Sequence, residues 1–173
     1  MEFTLVLPIM LFVLMGILDF ARIYTTMMAV ESAAREAADY GTTLGAGKWQ
    51  AGAPMDQTVT EMQRRACVAT RDLPDYTDSD ADPANGCTNP SFTYCMTAST
   101  GGPCAAVDPT LGCEDPLRAT PCTLTVTLTH DFRLLAPIGI DFYGLHFGFP
   151  TSIAFERDST FAMTDIDLSV PGP

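Results

Sequence analysis

The chain has 173 residues, room for one compact domain with an extension or for two small domains. Hydrophobic residues make up 47% and charged ones 17%, which is apolar for a soluble chain but not enough for several membrane spans. The net charge of -12 is concentrated in residues 72–173, where 14 acids stand against 3 bases. Such a surface repels phosphate backbones, and no basic stripe offsets it, which argues against nucleic-acid binding.

Residues 3–18, FTLVLPIMLFVLMGIL, carry no charge. As a helix they would span roughly 24 Å, slightly short of a full bilayer crossing. Phe3, Leu5, Leu7, Pro8, Leu11, Phe12, Leu14, Met15 and Leu18 are the candidate residues of a membrane or filament-core helix. Pro8 removes one backbone hydrogen bond and is expected to kink or loosen it. Asp19 and Arg22 follow one turn apart, a spacing at which they can pair.

Three processing schemes compete for this segment. A cleaved signal peptide wants a basic start and a small-residue cleavage site; Met1-Glu2 and Asp19-Phe20-Ala21-Arg22 supply neither. An ordinary signal anchor wants flanking positive charge on the inside. The third scheme removes a basic leader and keeps the helix. An acid beside the start is costly in lipid without a partner, and the N-terminal amine of a neighbouring subunit would partner Glu2.

Thr25 to Tyr40 continues the helix with Ala, Met, Glu and Arg. Val30, Ala33, Ala34, Ala37 and Ala38 recur at helical spacing, and Glu31 and Arg35 form an i,i+4 pair in the favourable order. Gly41, Gly45 and Gly47 mark the exit, so the helix is predicted to end near residue 40. A second helix begins around Ala53-Pro54-Met55-Asp56, with Pro54 at its first position or Asp56 as its cap, and runs to about Arg71.

Residues 72–121 show no period and hold four of the six cysteines. Cys67, Cys87, Cys95, Cys104, Cys113 and Cys122 contain no C-x-x-C pair, which removes zinc-ribbon, thioredoxin and haem-attachment readings. Their even number in a Gly/Pro-rich region points to disulfides in an oxidising compartment, with connectivity open. Asp78, Asp80 and Asp82 alternate as Ca²⁺ ligands do. An EF-hand wants Gly at the sixth position and Glu at the twelfth, and Pro83 and Asn89 stand there; a solvated acidic loop is the preferred reading, with no other metal or cofactor.

Ser91–Cys95 reads as a short strand, Thr123–Thr129 as a strand alternating strictly, and Ser152–Met163 as one or two more. Phe142, Tyr143, Phe147 and Phe149 lie between the last two, in a stretch that would pack as core, the preferred reading, or against a neighbour, and that is too short for a second span. His130 and His146 are the only histidines, and neither sits in a zinc motif. No nucleophile constellation, Walker loop or dinucleotide fingerprint occurs, so no enzymatic role is expected.

Glu2-Phe3-Thr4-Leu5-Val6-Leu7-Pro8, Gly16-Ile17-Leu18-Asp19-Phe20-Ala21-Arg22 and Ala33-Ala34-Arg35-Glu36-Ala37-Ala38-Asp39-Tyr40 resemble, in order and spacing, the V-E-F-A-L-V-L-P, G-I-I-D-F-G-R and A-A-R-E-G-A-R-Y-A runs of the TadE-like family. The strand, Phe-x-Leu-Leu-x-Pro bend and late strand over residues 119–165 resemble that family's tail as well. The resemblance implies a pilin-like protein of the tight-adherence pilus system, made as a precursor that a prepilin peptidase cleaves ahead of the helix. The family's cleavage site lies a few residues before the Glu, and only Met1 precedes Glu2 here.

The expected fold is α+β, with a long N-terminal helix (residues 1–45) packed on a small antiparallel sheet in a head with disulfide-braced loops (residues 46–173). The expected function is structural subunit of an extracellular filament. The chain would be a homo-oligomer, held in the inner membrane before assembly and handled by the pilus assembly machinery. The alternatives are a minor pseudopilin that primes or tips a pilus, and a single-span adhesin.

Overall fold

The structure, a computed structural model, describes residues 2–43, 49, 53–78, 86–97, 122–134, 139–142, 145–148 and 151–163. Its elements are α1 (Glu2–Thr43), α2 (Ala53–Ala69), β1 (Thr77–Asp78), β2 (Cys87–Asn89), β3 (Ser91–Thr97), β4 (Thr123–Arg133), β5 (Gly139–Phe142), β6 (Leu145–Gly148) and β7 (Ser152–Ala162). The α+β class expected from the sequence is the one observed.

The 42 residues of α1 make a rod about 63 Å long. It is continuous through Pro8. Proline there forfeits only the bond to the carbonyl of residue 4, in the first two turns, and the rest of the ladder holds the rod together. The buried residues of the second half form one stripe: Thr26, Val30, Ala33, Ala34, Ala37, Ala38, Gly41 and Thr42. Threonine is tolerated in this stripe because its hydroxyl is satisfied within the helix: Thr26 Oγ1 donates to the Arg22 carbonyl at 2.8 Å and Thr42 Oγ1 to that of Ala38 at 3.1 Å.

Gly41 does not end the helix, as the sequence suggested; α1 runs on to Thr43. A Cβ at residue 41 would sit 2.4 Å from Leu124 Cδ2 and 2.7 Å from Met62 Sδ. The glycine is needed where α1, α2 and the sheet approach most closely.

The main sheet is antiparallel, in the order β3-β4-β7. On central β4 the alternation is complete: Leu124, Val126, Leu128, His130 and Phe132 are buried, while Thr123, Thr125, Thr127 and Thr129 lie on the other face. α1 lies on the buried face, with its stripe against β4 and β7. The contact of Leu124 with Gly41 and of Arg22 with Phe132 fixes the direction: β4 runs antiparallel to α1. From Gly41 back to Arg22 the helix covers about 28 Å, and from Leu124 to Phe132 the strand covers about 26 Å, so the two remain in step. The end of the sheet nearest the protruding helix is therefore the C-terminal end of β4 and the start of β7.

α2 packs beside α1 through Met62 and Ala66. It begins at Ala53, so Pro54 falls in its first turn, where a missing N–H costs nothing. Trp49 caps the core, its Nε1 donating to the Gly41 carbonyl at 2.9 Å and its ring 5.9 Å from that of Tyr94. On the outer surface Arg65 stacks over Tyr40 at 4.1 Å. Glu61 accepts from both Arg64 and Arg65, and the Arg64 hydrogen bond above all lowers its pKa to about 2.

Cys67 on α2 is bonded to Cys87 on β2, closing a loop of 20 residues. Cys95 and Cys122 are also disulfide-bonded. Cys104 and Cys113 lie outside the described residues. Asn89 extends the sheet with its side chain: Nδ2 donates to the carbonyls of Asp75 and Asp131, and Oδ1 accepts from the Asp131 amide at 2.9 Å. Asp75 accepts from the Arg133 amide at 2.8 Å, so residues 75 and 89 clip the turn after α2 to the end of β4.

Replacing Cys67 and Cys87 together by alanine is expected to cost about 3 kcal/mol, because the unfolded chain regains the freedom of that loop. Urea unfolding of the full chain in detergent, followed by far-ultraviolet circular dichroism, measures it against the parent protein.

Candidate functional site: the protruding helix and its neck

Between Phe3 and Leu18, α1 touches nothing else in the described structure closely enough to be covered. Phe3 is 83% exposed, Phe12 59% and Met15 47%; Leu7, Leu11, Leu14 and Leu18 fall within that range, and Pro8 is exposed. An apolar cylinder bare on every side is not a stable surface in water. This is the described helix long and apolar enough to cross a membrane. The side chains of Glu2 and Leu5 lie outside the described residues.

The change from bare to packed happens at one turn. Asp19 is the first buried side chain of α1, at 8% exposure. Arg22 lies one turn on and pairs loosely with it, Nη1 to Oδ1 at 3.6 Å, as their spacing led one to expect. The Arg22 guanidinium sits over the Phe132 ring, 4.9 Å from its centroid, and Phe132 in turn meets Phe155 at 6.2 Å. A charge at the edge of an apolar run is thereby held against the quadrupole of an aromatic face, with its counter-charge on the same helix. Helix and head are coupled at this neck by side chains 110 positions apart in sequence.

His130, two residues before Phe132 on the same face, is fully buried. Its Nε2 lies 3.0 Å from the Pro74 carbonyl, which can only accept, so the proton is on Nε2. Nδ1 has no hydrogen-bond partner among the described residues. Burial pushes the imidazole pKa below its ordinary value, the Pro74 carbonyl and the charges of Asp75 and Asp131 opposing it. The head therefore holds a neutral histidine.

Elsewhere the described surface offers little chemistry. Glu36, Arg64, Arg65, Val68 and Ala69 line an open hollow of about 330 Å³ between α1 and α2. Its two arginines are committed to Glu61, and no nucleophile faces it. Of the Ca²⁺ candidates, Asp78 accepts from the Tyr76 hydroxyl at 2.6 Å, while Asp80 and Asp82 lie outside the described residues. Among the described residues no three His, Cys, Asp or Glu side chains are gathered to hold a metal.

Residues 1–39 match the family model of TadE-like proteins. Over that stretch the chain is similar to TadE-like proteins. The matched segment takes in the bare apolar run, the Asp19–Arg22 turn and the alanine stripe, and stops short of α2 and the sheet. No curated protein and no solved structure matches the chain. The Asp-Phe-Ala-Arg run of the TadE-like segment thus has a physical place, the turn where the helix meets the head. Sequence reasoning gave Asp19 and Arg22 but missed Phe132 and His130, which carry no local signal of contact with α1.

Arg22→Gln and Phe132→Leu should each destabilise the head, and the double variant by less than their sum. A coupling of about 1 kcal/mol is expected for a partly desolvated cation–π pair, read from urea unfolding of the four proteins in detergent. For pH, His130 has a folded pKa below its unfolded one. Its contribution is full above the unfolded value of about 6.5 and is lost as pH falls below it, because the unfolded chain takes up the proton first. Stability should decline from pH 7 to 5 by up to about 1.4 kcal/mol per pH unit, and His130→Leu should flatten that window. The Glu61 pairs act lower, their contribution fading between about pH 4.5 and 2.

Proposed function

We propose that this chain is the structural subunit of an extracellular, pilus-like helical filament, held by α1 in the inner membrane before assembly. The observation that carries the reading is the division of one continuous helix into an apolar rod bare on all sides and a rod with a single buried stripe. The first half suits lipid or a bundle of like helices, and the second suits a head that stays in water. The TadE-like match over residues 1–39 supports a pilus-related setting.

Assembly transfers the residue 3–18 rod from acyl chains to copies of itself. Lipid is already apolar, so the gain comes from packing rather than from hydrophobic burial. Gly16, with nothing within 4 Å, offers a site for close helix approach. Glu2 would pair with the N-terminal amine of the neighbouring copy. Subunits that repeat head-to-tail without closing form a fibre. A prepilin peptidase and an assembly machine are the implied partners, and the role is structural rather than catalytic.

Leu11→Arg places a charge in the middle of the rod, at a cost of about 3 kcal/mol for membrane insertion. The expected result is loss of cell-surface fibres in electron micrographs, while the head keeps its Cys67–Cys87 bond and resists protease. Intact fibres from this variant would overturn the reading. Gold-labelled antibody found only at fibre ends would instead make the chain a minor, priming subunit.

A further inference from the structure

We propose that the lipid contact of α1 continues past the neck on the side turned away from the sheet, through Phe20, Tyr24 and Met28, so that the helix enters the bilayer obliquely with the head on its upper side. The proposal rests on the reading of α1 as a membrane helix.

On the head side the apolar surface of α1 ends at Asp19, which is buried and pairs with Arg22 over Phe132. On the other side it runs on. Phe20 is 71% exposed, Tyr24 58% and Met28 53%. They follow one another at intervals of four residues, so they lie one above the next along one face. Ala21 and Thr25 are also exposed in this stretch. The Thr25 hydroxyl donates to the Ala21 and Arg22 carbonyls, at 3.1 and 2.9 Å, and so needs no water. Two turns beyond Tyr24 and Met28 come Glu31 and Arg35, which pair with each other.

Two ion pairs therefore bound the apolar surface at two heights. Glu31 follows Asp19 by 12 residues, roughly 18 Å along the helix. On the head side the apolar run, residues 3–18, measures roughly 24 Å, and on the far side, residues 3–28, about 39 Å. The first is short of a hydrocarbon core of about 30 Å, the second exceeds it, and their mean of about 31 Å matches it. An upright helix would leave either the Asp19–Arg22 pair in lipid or the Phe20–Met28 stripe in water. A helix that leans towards the stripe does neither.

The side chains of the stripe suit lipid better than another helix. Helices that associate within a bilayer approach through small residues, and those of α1, such as Ala33, Ala34 and Ala37, face the sheet. Phe20, Tyr24 and Met28 are large, and an aromatic ring with a hydroxyl tip favours the boundary between acyl chains and headgroups, where it helps to set a helix's tilt. Charge favours the same lean. Asp131, Glu156 and Asp158 are exposed on β4 and β7, across α1 from the stripe, and the lean carries them away from an anionic leaflet.

The test introduces tryptophan, one variant at a time, at Leu11, Tyr24, Met28 and Ser32. All four positions are exposed, so the head should fold as in the parent chain. Each full-length variant is reconstituted in phosphatidylethanolamine and phosphatidylglycerol vesicles carrying phosphatidylcholine brominated on its acyl chains. The signal of native Trp49, buried beside Gly41, is subtracted using the parent chain. Leu11→Trp should be strongly quenched. Tyr24→Trp and Met28→Trp should be quenched by at least about half as much, as side chains at the headgroup–acyl boundary are, and Ser32→Trp clearly less. Quenching at Leu11 with Met28→Trp no more quenched than Ser32→Trp overturns the oblique contact and leaves the membrane helix standing. No quenching at Leu11 overturns both. A spectrum at Met28 that shifts to the blue only on fibre formation, with no quenching in vesicles, assigns the stripe to a neighbouring helix and likewise overturns the lipid contact.

Discussion

The structure depends on how closely a sheet can approach a helix. Ala33, Ala34, Ala37, Ala38 and Gly41 leave α1 almost bare along one line, and central strand β4 lies on that line for its whole length. Large side chains come from the other partners: Leu124, Val126 and Leu128 from the sheet, Met62 from α2 and Trp49 from the segment between the helices. The small-on-large arrangement lets a rod about 10 Å wide be both spine of the head and part of its core. It also makes the rod's direction, and so the line along which its apolar half projects, a property of the whole head.

The same constraint operates at the neck. Along α1 the surroundings change from packed to bare within a turn, and Asp19, Arg22 and Phe132 stand at that change. Loose pairing on the helix and stacking on the sheet keep the charge near the boundary without leaving it uncompensated. A filament built from such subunits would inherit the head's orientation from this joint.

The disulfide and the Asn89–Asp75 clip hold the stretch around residues 70–90, which has few apolar side chains of its own, and the clip fastens it beside Phe132 at the neck end of β4. Cross-linking α2 to β2 and tying the following turn to β4 substitute covalent and polar restraint for a core that this stretch is too acidic to build.

Read by itself, the sequence determined the long helix, its division near Asp19, the alternating faces of β4, strand structure within 152–163 and the oxidised state of Cys67 and Cys87, because each is written in a local period, an uncharged run or a residue type; that 152–162 is one strand and not two came from the structure. It read Gly41, Gly45 and Gly47 together as the exit of the helix, since glycine is the usual sign of one, whereas only the tertiary structure shows Gly41 making room for Leu124 and Met62. Which cysteine meets Cys67, that Phe132 lies beneath Arg22, and that His130 is enclosed as a neutral ring were decided by the folded arrangement alone. Those are contacts between residues 20 to 110 positions apart. A period reports which way a side chain faces along its own element, and it carries no record of what the rest of the chain brings to meet it.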